Sequence, residues 1–483
     1  MGPLVVPHAN PFSPMPCRRG LFAFPPVLCY EPPMNSEPVI IPRPDHPISR
    51  SMVSPNALRV LYRLKDNGHI AYLVGGCVRD LLLGREPKDF DVATDATPNQ
   101  VKRLFRNCRL VGRRFRLAHI HYQGEIIEVA TFRAMAPEEP GEAEAEPLAE
   151  GEVERSRKPR HVVSDEGMVL RDNVFGTPEE DALRRDFTVN ALAYNIADFS
   201  IIDYANGMED LRRGVIRTIG DPVVRFTEDP VRMIRAVRFA AILGFTVEEA
   251  TRRAVLELAP TITRATAPRL YEEMLKLFLS GAGERVYQIL RQAGLFAHLF
   301  PRFNGWLDRE SDGFPHLRIS KALEWIDGQV GGGEPVSPPL LLALMFGEYV
   351  EELAGGLVSA GMPVPDAVTG ALAGFLGEQA PIIAIPHRIA LAVREILLLQ
   401  HRLAKIPGKR PQGVLARSCF AEAVAYLRCR CAVTGEGEKV LAWWERYSRD
   451  NTMPPVEPGT GDGEEKPPKR RRRRNKRRKP PAS

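Results

Sequence analysis

Two adjacent glycines between an apolar run and an apolar helix, followed by two aspartates one residue apart, constrain this chain more than any other feature. The stretch is Tyr72-Leu73-Val74-Gly75-Gly76-Cys77-Val78-Arg79-Asp80, then Lys88-Asp89-Phe90-Asp91-Val92. Ile70 to Val74 reads as a short buried strand and Gly75-Gly76 as a tight turn. Val78 to Leu83 reads as a helix with Gly84 in the stop position. A second strand starts at Phe90 and Val92 and carries Asp89 and Asp91; residues two apart on a strand share a face. Both carboxylates then look across one surface, beside a turn whose backbone N–H groups can approach a phosphate. That combination suits a pair of divalent metal ions and phosphoryl-type transfer.

Length and charge set the frame around that motif. The chain has 483 residues, enough for two to four domains, with 44% apolar and 26% charged residues, which fits a soluble globular protein. No apolar run approaches the roughly 20 residues of a membrane span. Residues 1–38 are Pro-rich and lack the basic-then-apolar order of a signal peptide; they read as a disordered arm or as an over-long start. The seven cysteines are scattered with no CxxC pair, which argues against a zinc or disulfide framework and for a reducing cytoplasm. Lys466 to Lys479 hold 11 Lys or Arg and no acid; without them the net charge of +6 becomes negative. The basicity therefore belongs to a tail, which cannot bury a core and suits sequence-blind phosphate binding or, more blandly, solubility.

Along the chain, Ser54-Pro55 can cap and start a helix through Ala57, Leu58, Val60, Leu61 and Leu64. Thr97-Pro98-Asn99-Gln100 is a capping box. Leu117 to Tyr122 and Glu125 to Phe132 read as paired strands, with Glu128 either exposed or a third carboxylate facing the aspartates. Residues 136–160 form an acidic, solvated insertion; eight Glu lie between Glu138 and Glu154. Arg184-Arg185-Asp186-Phe187-Thr188-Val189-Asn190-Ala191 is a second polar cluster, either a structural ion pair or a holder of ribose and triphosphate. In the third, Glu228-Asp229-Pro230-Val231-Arg232-Met233-Ile234-Arg235-Ala236-Val237-Arg238-Phe239, Asp229 can cap a helix. Arg232, Arg235 and Arg238 then line one stripe, and Val231, Ile234, Val237 and Ala241 another. The arginines are either a solvated face or a run in which Asp229 and Arg232 meet a base edge. From Pro260 to Trp444 the pattern is helical.

Taken together in this order, the glycine turn, the Asp-x-Asp strand, RRDFTVNA and EDPVRMIRAVRF resemble the class II nucleotidyltransferases of the polymerase-beta-like superfamily. These comprise the bacterial poly(A) polymerases and the CCA-adding enzymes. Leu104 to Ile120, the lead-in Ile41-Pro42-Arg43-Pro44-Asp45-His46 and the Arg-rich terminus are similar to the poly(A) polymerase branch. The resemblance implies an α+β fold. A head with a small mixed sheet and helices (39–195) would precede an all-helical neck (196–262) that recognises nucleotide and a body and leg (263–448) that bind RNA. A linker and disordered basic tail (449–483) would follow. It implies Asp89 and Asp91 as ligands of two Mg²⁺ ions, Asp186 as a third catalytic residue, and Gly75, Gly76, Arg79, Arg185, Asp229, Arg232, Arg235 and Arg238 around ATP. The implied activity is template-independent transfer of AMP from ATP to single-stranded RNA 3′ ends, releasing pyrophosphate. The chain would work as a cytoplasmic monomer, away from membranes and linked to RNA processing and decay. A CCA-adding enzyme is the alternative; a silent RNA-binding scaffold or a small-molecule nucleotidyltransferase fits less of the chain.

Overall fold

The computed structural model describes residues 37–112, 116–134, 162–163, 169–171, 174–309, 315–408 and 410–451. The N-terminal arm to residue 36, the acidic insertion 136–160 and the basic tail lie outside the described residues.

Eight strands form one mixed sheet: β1 (Val39–Ile41), β2 (Ala71–Val74), β3 (Asp91–Thr94), β4 (Cys108–Val111), β5 (Leu117–Tyr122), β6 (Glu125–Thr131), β7 (Leu192–Asn195) and β8 (Ile201–Asp203). Their order is β1-β8-β7-β2-β3-β6-β5-β4. β3 and β6 run parallel, with Asp91 opposite Glu128, and every other pair in this sheet is antiparallel. The expected α+β head with a mixed sheet is thus observed. The sheet also takes in Ile201–Asp203, so it runs past residue 195, where the sequence reading ended the head. A short hairpin returns β8 against β7, and the hydrogen-bonded edge carries the unit onward.

One face of the sheet is covered by α1 (Pro55–Asp66), α2 (Gly76–Leu82) and α3 (Pro98–Leu104). Helix α1 forms where expected: Ser54 Oγ accepts the Asn56 N–H at 3.2 Å, and Ala57, Val60, Leu61 and Leu64 recur on one buried stripe. α3 starts with the Thr97 N–H donating to Gln100 Oε1 at 2.8 Å. α2 begins at Gly76, two residues before the expected start, because Gly75 already serves as its cap. The covered face contributes Leu73, Val92, Ile127 and Val129 to the core; the other face carries Val74, Ala93 and Phe132. Strand alternation therefore puts Asp91 and Glu128 on the face away from these helices.

Beyond this sheet the chain is mostly helical; the exceptions among the described residues are the antiparallel pair Val162–Val163 with Val169–Arg171 and the parallel pair Val215–Ile216 with Thr246–Val247, the second of which places strands in the segment 196–262 expected as an all-helical neck. α4 (Pro178–Leu183), α5 (Pro222–Glu228), α6 (Val231–Leu243) and α7 (Ala267–Phe278) matter for the site. Helix α6 is buried on two sides. Val231, Met233, Ile234, Val237 and Ala241 enter the large helical core, whereas Ala236, Ala240 and Leu243 enter the head core. Burying both sides fixes where its arginine stripe points. The helical core itself is continuous from Phe226 to Cys429, so the segments expected as neck and body share one apolar interior.

Candidate active site

Gly75 sits at the junction of β2 and α2 with φ 77° and ψ −138°, a conformation open to glycine and costly for other residues. A Cβ there would lie 2.9 Å from Arg185 Nη1 and 3.9 Å from Asp91 Oδ2. The glycine turn, the first residue of β3 and the RRDFT arginine therefore meet at one point. Asp89 lies just before β3 rather than within it. The two aspartates are therefore not strand neighbours on one pleat, although they repel each other electrostatically.

That repulsion marks the site. Asp91's pKa is raised from 3.8 to about 6: burial pushes it up first, then the charges of Glu128 and Asp89, while Arg185 pulls it down. Glu128 lies beside Asp91 in register, with His119 Nε2 3.4 Å from its Oε1. Among the described residues no three His, Cys, Asp or Glu side chains group tightly enough to hold a metal ion. The donor set still fits a divalent cation: a carboxylate raised first by burial and then by acidic neighbours is a group whose charge a cation would relieve.

A web of hydrogen bonds ties the sequence motifs together behind this point. Arg79 is buried; its Nη1 donates to Asn190 Oδ1 at 2.7 Å, its Nε to Asp80 Oδ1 at 2.9 Å, and its guanidinium lies 5.1 Å from the Phe239 ring. The structure thus builds Arg79 into the wall, with those donors committed to protein. Arg185 Nη2 donates to Asp181 Oδ2 at 3.1 Å on α4. Asp186 is buried; its Oδ1 accepts from the Phe187 N–H and the Asn190 amide, and its Oδ2 lies 2.6 Å from Arg235 Nη2. Burial disfavours the Asp186 carboxylate, but Arg235 and Asn190 outweigh it and hold its pKa below the ordinary carboxylate value. The same pairing raises Arg235.

The third motif is assembled differently from the sequence reading. Pro230, not Asp229, occupies the cap position of α6, although Asp229 Oδ1 still accepts the Val231 N–H at 3.2 Å. Asp229 and Arg232 do not pair through their side chains. Asp229 is gripped by both terminal nitrogens of Arg269 on α7, at 2.8 and 2.7 Å. Arg232 Nη1 and Arg225 Nη1 donate to the same oxygen of Glu228, at 2.8 and 2.9 Å. Arg225 Nη2 reaches back to the Arg184 and Arg185 carbonyls at 2.6 and 2.8 Å. Arg238 faces Glu273 at 3.5 Å and the Phe239 ring at 5.0 Å.

These contacts concentrate positive charge. Arg184 is lowered to about 9, first by burial and then by Arg133, Arg225, Arg232 and Arg185. A cluster of this sign, next to the raised Asp91 carboxylate, is suited to a polyanion bridged by cations. Glu228, Arg225, Arg269 and Phe239 were not singled out from sequence as site residues. Glu228 and Phe239 bound the third motif and could have been; Arg269, 40 residues from Asp229, had no local signal.

The comparisons with known proteins agree with this assembly. Residues 71–217 match the model of the poly A polymerase head domain, 244–307 that of a probable RNA and SrmB-binding site of polymerase A, and 360–479 that of the polymerase A arginine-rich C-terminus. Poly(A) polymerase I of Salmonella typhi is 44% identical over 423 residues, covering 87% of each chain. A CCA-adding enzyme of Bacillus velezensis is 36% identical over 261 residues, 54% of this chain and 59% of that one. The crystal structure of the Bacillus stearothermophilus CCA-adding enzyme in complex with CTP superimposes with a TM-score of 0.55 at 27% identity, covering 82% of both chains. With its four motifs joined by these contacts, and 44% identity to a poly(A) polymerase I over 87% of its length, the chain belongs to the bacterial poly(A) polymerase I family of nucleotidyltransferases.

Proposed function

We propose that this polynucleotide adenylyltransferase works at the cleft between Gly75 and Arg235, transferring AMP from ATP to a single-stranded RNA 3′ end. Polyadenylation is the activity of the family to which the chain belongs. In the reaction the 3′-hydroxyl oxygen bonds to the α-phosphorus, the α–β anhydride bond breaks and pyrophosphate leaves. The observation that carries the reading is the meeting of Asp91, Gly75 and Arg185, a raised carboxylate against an open glycine turn and a cation.

In this reading Asp89 and Asp91 would hold two Mg²⁺ ions, with Glu128 adjoining. Bound there, the ions would supply Lewis-acid activation of the hydroxyl and charge neutralisation at the leaving group. Gly75 leaves room for phosphate oxygens beside Asp91. Arg185 and the neighbouring Arg184 supply positive charge to the triphosphate. Asp186 holds Arg235 in a fixed direction, and Gly76, Arg79 and Arg238 shape the wall. Asp229 and Arg232 offer one acceptor and one donor for a base edge, and Arg269 and Glu228 hold them in place. With no template, adenine choice then rests on these side chains; each correct hydrogen-bonded pair discriminates by roughly 1–3 kcal/mol. A monomer acting in the cytoplasm is the proposed setting; the five cysteines among the described residues are all free, which supports a reducing compartment.

The test is a generic RNA incubated with each nucleoside triphosphate separately. Long tails with ATP alone support the reading. Short products needing both CTP and ATP, confined to transfer RNA, would replace it with the CCA-adding activity for which more distant relatives are named.

A further inference from the structure

The head carries a cleft of about 710 Å³ along the exposed side of α1 and the end of β5. Arg59, Tyr62, Arg63, Phe105, Asn107 and Tyr122 line it. Arg59 and Arg63 are one turn apart on α1, so they project together, and both act electrostatically on the Tyr122 hydroxyl. The Arg63 guanidinium lies 5.2 Å from the Phe105 ring, and Arg50 donates to the Tyr62 hydroxyl at 3.1 Å. The start of α1 is tied to the hairpin, with Ser54 Oγ and Asn56 Nδ2 donating to Glu125 Oε2 at 2.8 and 2.7 Å. The cleft is therefore framed by two anchored elements.

This cleft is separate from the catalytic one. Its aromatic rings pack on the helix-covered face of the sheet, whereas Asp91 and Glu128 are on the other. Tyr122 pairs with Glu125, three residues along β6 from Glu128, and β6 separates β5 from β3. By strand spacing and rise, that puts it roughly 14 Å from Asp91, around the end of the sheet.

We propose that this cleft is an RNA site that holds a single-stranded segment upstream of the reacting 3′ end, resting on the proposed RNA substrate. Half-buried tyrosines offer faces on which bases stack, and the paired arginines answer the phosphates between them. A polymer that alternates base and phosphate uses both sets of groups at once; a free phosphate or an acidic peptide would use only the arginines. The site would engage only strands long enough to round the sheet, giving length-dependent affinity without a role in chemistry.

The experiment compares the full chain with R59E/R63E and Tyr122→Leu, all exposed or half-exposed positions. Oligoadenylates of about 4 and about 16 nucleotides, the range of single-strand site sizes, are titrated by fluorescence anisotropy at several salt concentrations. The expected result is a roughly tenfold loss of affinity for the long strand, with the R59E/R63E salt slope falling by about 1.4, as for two single-strand phosphate contacts. Affinity for the short strand and AMP addition to it stay unchanged. A 4-thiouridine in the 5′ half of the long strand crosslinks to peptides containing Tyr62 or Tyr122. Unchanged long-strand affinity and slope overturn the proposal, as do crosslinks elsewhere only. Equal losses on the short strand overturn it as a separate site, and a failure of the unmodified protein to extend either strand with ATP instead sinks the proposed function.

Discussion

Replacing Asp91 with Asn should abolish AMP transfer and, in metal-free protein, make the head more stable. The reason lies in the proton balance. Asp91 has a folded-state pKa of about 6 against 3.8 in the unfolded chain, first because of burial and then because of Glu128 and Asp89. Folding therefore takes up a proton between those values. The group favours the folded state fully below 3.8, and that contribution is lost as pH rises through about 6. At pH 7 the ionised carboxylate costs the metal-free fold about 3 kcal/mol relative to its protonated form, from the difference of the two values at 1.36 kcal/mol per unit. Asn removes the charge and keeps the shape. The head holds no tryptophan among residues 39–203, so fluorescence will not report it. Amide hydrogen exchange in β2 and β3 will: at pH 7 in a chelator, D91N should slow exchange there by up to roughly two powers of ten. At pH 4 the two proteins should differ far less. Adding Mg²⁺ should protect the unmodified protein and leave D91N unmoved. If D91N exchanges as fast as the unmodified protein at pH 7 without metal, Asp91 is not strained by its neighbours and the argument for a cation there fails.

Three further outcomes follow from the geometry. Gly75→Ala should cost about 1–3 kcal/mol of backbone strain, push on Arg185 and remove most activity, while G75A/R185A should regain stability no further than the clash accounts for; urea denaturation and AMP incorporation read the two effects. Arg269→Ala should leave the Asp229 carboxylate without its cation, held only by the Val231 N–H, and relax the choice of ATP over other nucleotides by roughly tenfold, seen as a narrowed ratio of kcat/KM values; an unchanged ratio would remove Asp229 from base reading. Deleting residues 466–483 should flatten the salt dependence of RNA binding measured by filter retention, and an unchanged slope would deny the tail a phosphate-binding role.

Local chemistry made much of this protein legible before its structure. The Ser54-Pro55 start of α1, the Thr97 capping box, the glycine turn and the apolar stripe of α6 are each decided by a few neighbouring residues. The structure shows each of them, because short-range hydrogen bonds and helical periodicity do not depend on the rest of the chain. The acids and arginines of the site were also visible, since such density of charge near apolar segments is costly without partners.

Their pairing was not visible, because it is made across the fold. Asp229 is held by Arg269 from the next helical layer, Arg79 is spent on Asn190 rather than left open, and Glu128 reaches Asp91 only through the parallel β3–β6 register. The end of the sheet depended on the β7–β8 hairpin in the same way. Sequence alone determined which residues carry charge, which turn tolerates a positive φ and which stripes seek burial. The tertiary structure alone decided which charges meet and how far a carboxylate is pushed from its ordinary pKa, because electrostatic energy depends on distance and desolvation, and both are set only when the layers pack.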